Sequence, residues 1–150
     1  HGLWSLLAHL FPQADIPALQ LSLDVNLDAA DHYALGRRLR PLRDAGVLIV
    51  ASGNIVHNLG RMDWRHPEAA ADWAQRFNDR VRGALARAEH TALFLLDDPD
   101  ARQAVPTPEH YWPMLYAAAL ADVGEAPAFF NDRIEYASIG MLSFRVGAQV

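Results

Sequence analysis

Three histidines stand at positions where an imidazole could bind a metal or transfer a proton. His57 follows a continuous apolar run, Val47 to Ala51, which predicts a buried strand that breaks at Ser52-Gly53-Asn54. His110 lies in the first turn of a predicted helix, where the helix dipole favours the neutral imidazole that metals bind. The third, His1, opens the sequence. Together they are candidates for a metal or acid/base site.

Each of these features also has a purely structural interpretation. Gly53 and Asn54 could form only a strand-ending turn, in which glycine supplies a positive φ and asparagine bonds the backbone. His57 alone could equally cap a loop, and Thr107 and Pro108 are residues that begin helices for structural reasons. Taken one at a time, the motifs leave both interpretations open.

The composition limits the possible functions. A chain of 150 residues with 51% hydrophobic residues fits one domain with its own core. The sequence has no cysteine, which excludes disulfides, thiolate metal sites and a cysteine nucleophile, and leaves histidine, aspartate and glutamate as the strong ligands. Its net charge of −5 argues against nucleic-acid binding, and no stretch is apolar enough to span a membrane. We therefore expect a cytoplasmic protein with no nucleic-acid or membrane partner.

The remaining histidines and the arginines are expected to be structural or exposed to solvent. All 13 cationic residues are arginine, and a cluster on one predicted helix is expected to mark a solvated face. This cluster consists of Arg37, Arg38, Arg40 and Arg43. The other histidines are isolated in the sequence, so we expect none of them to act directly in the site. They are His9, His32, His66 and His90.

Strand and helix patterns alternate along the chain. Residues 16–23 and 47–51 predict strands on either side of a helix from about Asp28 to Ala45, and this order implies a right-handed parallel crossover. Further helices are predicted over 3–11, from Pro67 to about Arg87 and from Glu109 to Leu120, with a final strand over 134–146. We therefore expect an α/β fold, a single domain with a central mostly parallel or mixed sheet flanked by helices.

Several motifs, taken together, fall in the order and spacing of one protein family. Four of them are His1-Gly2-x-Trp4, Leu42-Arg43-Asp44-x-Gly46-Val47-Leu48-Ile49, Ser52-Gly53-Asn54-x-x-His57-Asn58-Leu59 and Pro106-Thr107-Pro108-Glu109-His110-Tyr111. The chain resembles the class III extradiol ring-cleavage dioxygenases and, within them, is similar to the 4,5-DOPA dioxygenase group of bacteria and plants. The resemblance runs from residue 1 to about residue 147.

The resemblance implies an enzyme that opens a catechol-type, DOPA-like ring next to its hydroxyls, using dioxygen and a non-haem Fe(II) or Zn(II). It implies that His57 and His110 face the metal, and that His57 is also the candidate base, so two roles stay open for His57. His1 would hydrogen-bond the substrate or the dioxygen, and Asn54 would orient the loop. Iron oxygenase sites need such nitrogen ligands, open positions for substrate and oxygen, and a base nearby.

The resemblance also implies that residues 1–150 are the carboxyl-terminal part of an extradiol dioxygenase catalytic domain whose amino-terminal part is missing. Two histidine ligands that the family carries in that part have no counterpart in this sequence. We therefore expect a missing amino-terminal segment, or another chain, to complete the site. The fragment alone is expected to be inactive, because an incomplete set of ligands binds metal weakly.

Two other functions fit the same residues. A non-catalytic relative of the same fold could bind a metal or an aromatic ligand without turnover. An unrelated zinc hydrolase could instead use His57 and His110 as zinc ligands.

Overall fold

The computed structural model describes residues 2–147, so the predicted site residue His1 lies outside the described residues. The α-helices are α1 (Gly2–Leu10), α2 (Ala29–Leu39), α3 (Pro41–Asp44), α4 (Asp72–Ala86), α5 (Pro99–Ala104) and α6 (Trp112–Ala119). Single turns or short runs of 3-10 helix are formed by Leu59–Arg61, His90–Phe94 and Pro108–His110. The strands are β1 (Ala128–Phe130), β2 (Ile134–Glu135), β3 (Ile139–Gly140) and β4 (Ser143–Arg145). Within the described part of the chain, no helix combines the length and hydrophobicity that a membrane crossing requires.

The helices begin and end where caps and prolines allow. The carboxylate of Asp28 accepts the N–H of Asp31 at 2.9 Å and starts α2, as the sequence predicts. The predicted helix to Ala45 is instead divided into α2 and α3, because Pro41 has no N–H to continue the hydrogen-bond ladder. The helix predicted to start at Pro67 also differs from the structure, because α4 begins at Asp72.

The core forms where α4 and α6 bury their apolar side chains. Phe77, Val81 and Leu85 lie four residues apart on α4 and form its buried stripe. Most of α6 is buried, and it packs closely against α2. A Cβ on Gly36 of α2 would lie only 2.9 Å from the Cα of Tyr116, so the two helix backbones approach each other at a residue without a side chain. The helix that follows His110 is therefore fixed to the core along its length.

The strands form two separate antiparallel pairs. β1 pairs with β4, placing Phe129 opposite Phe144, and β2 pairs with β3, placing Ile134 opposite Gly140. The predicted strand over 134–146 is divided among β2, β3 and β4. The prediction of a single α/β domain is confirmed, whereas the prediction of a central mostly parallel or mixed sheet is wrong for the described residues.

Residues 16–23 and 47–51, predicted as strands, form no strand in the described structure. Residues 48–53 make no backbone hydrogen bond to another described backbone group, and Leu19 and Leu48 are 96% and 65% exposed. Hydrophobic patterning identifies residues that favour a buried strand, but a strand also requires a hydrogen-bonding neighbour. The described residues supply no such neighbour here, so these apolar segments stay open to solvent.

Three arginines of the predicted cluster bind groups at or just beyond the carboxyl end of α6. The prediction of a solvated face is wrong for Arg40 and Arg43, which are partly buried, whereas Arg37 is exposed as predicted. Arg37 donates to two main-chain carbonyls at this end, at 2.8 and 2.9 Å. Arg43 donates to a third carbonyl and pairs with both oxygens of Glu125, which lowers the pKa of that carboxyl to about 2. Arg40 pairs with Asp122. The last carbonyls of a helix have no partner within the helix, and the guanidinium groups of Arg37 and Arg43 supply one.

Candidate functional site

His57 and His110, far apart in the sequence, meet in the structure. Their imidazole rings stack with centroids 3.7 Å apart and ring planes inclined by 24°. Both residues are partly exposed, so a small ligand can reach the pair.

Gly53 and Asn54 fix the loop before His57 against the turn that carries His110. The backbones approach so closely that a Cβ on Gly53 would lie 2.2 Å from the His110 carbonyl oxygen. Asn54 donates its N–H to that carbonyl at 2.8 Å, and its side-chain amide donates to the Gly140 carbonyl at 2.8 Å. Glycine is therefore required at position 53 because the two backbones approach closely there, and not because the residue has a positive φ. The hydrogen bonds of Asn54 fit the loop-orienting role expected for that residue.

The backbone at His57 is held from two sides. Its N–H donates to the carbonyl of Ala104 at the end of α5, at 2.8 Å, and His57 forms an antiparallel bridge with Ile139 of β3. The next residue, Asn58, donates its N–H to the Ser138 carbonyl at 3.2 Å and accepts the Ser138 hydroxyl at 2.7 Å. The imidazole thus projects from a loop tied to a helix and to a hairpin.

His110 ends the 3-10 turn immediately before α6. Thr107 occupies the N-cap position of this turn, but its hydroxyl makes no capping bond and donates to the Glu109 carboxylate at 2.7 Å. Thr107 therefore takes the predicted N-cap position but does not make the side-chain capping bond. Tyr111 follows, fully buried, and its hydroxyl donates to a buried main-chain carbonyl at 2.9 Å, which anchors the turn to the core.

Glu109 adds a carboxylate beside the two histidines. Its Oε1 lies 3.9 Å from Nε2 of His110. The hydrogen bond from Thr107 holds the pKa of Glu109 below its usual value, so this carboxyl is charged at neutral pH. Glu109 is not among the residues predicted from the sequence, although its position directly before His110 is a signal that could have indicated it. Two imidazoles and a carboxylate are donor types that non-haem iron sites use.

The surroundings of His57 favour its neutral form. Burial lowers the pKa of His57, the charge of neighbouring His110 lowers it further, and Glu109 opposes both effects. A neutral imidazole can accept a proton or bind a metal ion. The environment of His57 is therefore compatible with either role that the sequence left open.

The two rings do not converge on one point. A zinc–imidazole bond is about 2.0–2.1 Å long and lies near the ring plane, whereas nearly parallel rings direct their nitrogens side by side. One ring would have to turn before both could contact the same ion. Within residues 2–147, no group of three or more potential side-chain ligands is arranged to hold a metal. The donor types fit a metal centre, but a complete coordination shell needs further ligands.

Three other histidines lie in exposed or structural settings, as expected. His9 is exposed on α1. His66 is exposed and pairs with Asp63 at 2.7 Å, which raises the pKa of the imidazole. His90 bonds the hydroxyl of Tyr33 at 2.7 Å, linking α2 to the 3-10 helix that contains His90. None of these contacts involves His57 or His110.

His32 is fully buried between α2 and α6. Its Nδ1 lies 2.9 Å from the Tyr116 hydroxyl, and its ring contacts that of Trp112 with centroids 4.3 Å apart and ring planes inclined by 35°. Burial lowers the pKa of His32, while the three carboxylates near it, Asp24, Asp31 and Asp28, act in the opposite direction. The expected structural role of His32 is thus a specific one, since it joins α2 to the first turns of α6.

An open groove of about 830 Å³ lies beside the loop that leads to His57. Residues 47–55 form one wall, and side chains of α1 and β4 form others. Val47, Leu48 and Val50 line it and are 45%, 65% and 42% exposed. The groove therefore presents apolar side chains to solvent along a segment without strand partners.

Comparison with known sequences connects this chain to one family. The family described as the catalytic LigB subunit of aromatic ring-opening dioxygenase matches residues 1–147. The 4,5-DOPA dioxygenase extradiol of Escherichia coli K12 is 40% identical over 98% of this chain and 56% of its own length. The protein of the same name from Beta vulgaris is 36% identical over 81% of this chain and 46% of its own length. The chain spans about half the length of the curated relatives it matches.

A solved structure shares the fold. The crystal structure of an uncharacterized protein from Escherichia coli K12 superimposes with a TM-score of 0.90 at 40% sequence identity. The match covers 98% of this chain and 62% of that one. The arrangement of elements described above is therefore also found in a crystal structure.

Proposed function

Because the chain belongs to the family of the catalytic LigB subunit of aromatic ring-opening dioxygenases, we propose that it forms part of an extradiol dioxygenase acting on a catechol-type, DOPA-like substrate. The observation that carries this proposal is the stacking of His57 on His110, which joins two sequence motifs into one accessible pair. Relatives named 4,5-DOPA dioxygenase extradiol support the substrate class.

In this proposal, His110 is a nitrogen ligand of a non-haem Fe(II) or Zn(II), and His57 transfers protons. A bound ion would polarise the catechol oxygens and dioxygen. A ring nitrogen of His57 accepts a proton from a catechol hydroxyl, and the pair excludes water from one face of the substrate. The near-parallel ring planes support separate roles, since the two imidazoles as oriented cannot both bind one ion.

The remaining ligands are proposed to come from a further polypeptide segment, of the same protein or of another chain. Two features support this: the described residues lack a group of three ligands, and the apolar groove beside the His57 loop is open. We expect the 150 residues alone neither to bind iron tightly nor to consume dioxygen with a catechol. Appreciable dioxygen uptake by the isolated, folded chain would refute this part of the proposal.

The cytoplasmic location of the protein stays a prediction.

Single substitutions in the full-length protein test the two roles. We expect His110→Ala to lose metal together with activity, because a ligand is removed. His57→Ala should retain more metal and lose about 10²–10⁴-fold in turnover, because a base is removed. His66→Ala is a matched control, since His66 is exposed and its imidazole pairs with the surface residue Asp63. Metal analysis beside steady-state kinetics separates the variants, and full activity in either test variant would exclude that histidine from the site.

Dioxygen uptake with a panel of catechols distinguishes the enzyme from a non-catalytic relative. A metal-loaded full-length protein that binds catechols but consumes no dioxygen would be such a relative. The zinc hydrolase of unrelated lineage is disfavoured, because the family match extends over residues 1–147.

A further inference from the structure

Ser138 lies in the turn between β2 and β3 and contacts the residue that follows His57. It is fully buried, and its hydroxyl donates to the Asn58 carbonyl at 2.7 Å. Its own carbonyl accepts the Asn58 N–H at 3.2 Å. Both backbone polar groups of Asn58 are therefore bonded to Ser138.

The turn that carries Ser138 has an unusual backbone. Tyr136 and Ala137 adopt φ values of 49° and 66°, in the left-handed region that non-glycine residues rarely occupy. Their N–H groups donate to the carbonyls of Pro67 and Ala69 at 2.8 and 2.7 Å. A strained conformation persists only where surrounding contacts determine it, and such sites are concentrated near functional residues. The position of Ser138 is thus fixed by contacts on both sides of the turn.

These contacts control the orientation of the His57 backbone. The N–H of His57 is bound to the Ala104 carbonyl at 2.8 Å, and the peptide group between His57 and Asn58 is held by the bond from the Asn58 N–H to the Ser138 main-chain carbonyl. The Ser138 hydroxyl holds the next peptide group through the Asn58 carbonyl. Rotation of these two peptide groups would move the backbone from which the His57 side chain projects toward His110. We propose that Ser138 is a positioning residue of this site, whose hydroxyl fixes the peptide group after Asn58, next to the one held by its own carbonyl, and thereby keeps the His57 imidazole stacked on His110. This proposal rests on the proposed function only for its effect on turnover.

The first test measures the imidazole position without metal or substrate. In nuclear magnetic resonance spectra of the chain, the ring protons of His57 should be shifted by the neighbouring His110 ring, and they are identified by their loss in His57→Gln. We expect Ser138→Ala to move these resonances toward free-histidine values. Ser138→Cys, which keeps a weak donor, should give an intermediate shift and serves if Ser138→Ala does not fold. Ser143→Ala is the matched control, because the Ser143 hydroxyl donates to the Met141 carbonyl in the same region and makes neither of the bonds to Asn58 described above.

The second test measures turnover in the full-length protein. We expect Ser138→Ala to lower kcat by roughly ten- to a hundredfold with little change in KM for the catechol, because a misplaced base slows the reaction more than it weakens binding. Ser138→Thr, which keeps the hydroxyl, should restore most of the rate. Unchanged His57 resonances in folded Ser138→Ala, or equal effects in Ser143→Ala, would overturn the positioning role. A wild-type protein that shows the resonance shift but never consumes dioxygen would contradict the proposed function and leave the positioning role supported.

Discussion

Replacing Gly53 by alanine is the most direct perturbation of the contact between the two histidine loops. The new Cβ would lie 2.2 Å from the His110 carbonyl oxygen and 3.3 Å from Cγ of Pro113. Ordinary contacts begin at 3.4 Å, so the loops must separate by 3.4 − 2.2 = 1.2 Å. The same movement would lengthen the 2.8 Å bond from Asn54 to the His110 carbonyl beyond hydrogen-bonding distance.

The energetic cost follows from these two effects. Overpacking typically costs about 1–3 kcal/mol, and a lost hydrogen bond about 0.5–1.5 kcal/mol. We therefore expect Gly53→Ala to lower the free energy of unfolding by roughly 2–4 kcal/mol. At about 2–4 °C per kcal/mol for a chain of this size, the thermal midpoint should fall by roughly 4–16 °C.

Thermal and urea unfolding of Gly53→Ala and Gly60→Ala measure this cost. Gly60 is a suitable control because it lies near the site, in the Leu59–Arg61 turn, and its Cβ would meet only the side-chain oxygen of Asn58 at 3.4 Å. We expect Gly60→Ala to stay within about 0.5 kcal/mol of the wild type. If Gly53→Ala were equally stable and left the His57 and His110 resonances unchanged, the close approach of the two loops would be wrong.

Three further predictions concern the elements that support the site. Tyr111→Phe should lower the free energy of unfolding by about 1–3 kcal/mol, measured in urea, because the Leu93 carbonyl would remain buried without its partner. Since burial lowers the pKa of His32, the folded state binds its proton more weakly than the unfolded chain does. Stability should therefore decline as the pH falls below the usual value of 6.5, and His32→Gln should flatten this part of the curve of urea midpoint against pH. Arg43→Gln should reduce the loss of stability between pH 4.5 and about 2, because Arg43 is what holds the pKa of Glu125 at about 2; unchanged acid unfolding would contradict this pairing.

The helices were the most predictable part of the fold. Their signals are local, as with the Asp28 cap of α2 and the evenly spaced apolar residues Phe77, Val81 and Leu85 of α4. Sheet pairing was not predictable in the same way, because residues 47–51 carry the pattern of a buried strand without specifying a neighbour. A pattern in one segment contains no information about the partner that completes its hydrogen bonds.

The candidate site, too, could be predicted from the sequence only in part. His57 and His110 could be selected from their motifs, although only the folded chain brings their rings to 3.7 Å. Ser138 could not be selected from the sequence, because a single serine carries no chemical signal. Its importance comes from a hydrogen bond to Asn58, which lies 80 positions earlier in the chain. Arg43 was misassigned to a solvated face for the same reason, since its carbonyl partner Leu120 lies 77 residues away.

If the proposed further segment covers the open groove beside residues 47–55, folding of the chain and association with that segment are thermodynamically linked. A segment that covers these apolar side chains would bind the folded chain and not the unfolded one, so by mass action it would raise the midpoint of unfolding. If the covering segment belongs to the same polypeptide, its effective concentration is fixed, and the midpoint of unfolding does not depend on protein concentration. If it belongs to another chain, the midpoint rises with protein concentration. A dilution series of unfolding curves therefore reports whether the site is completed within one polypeptide or between two.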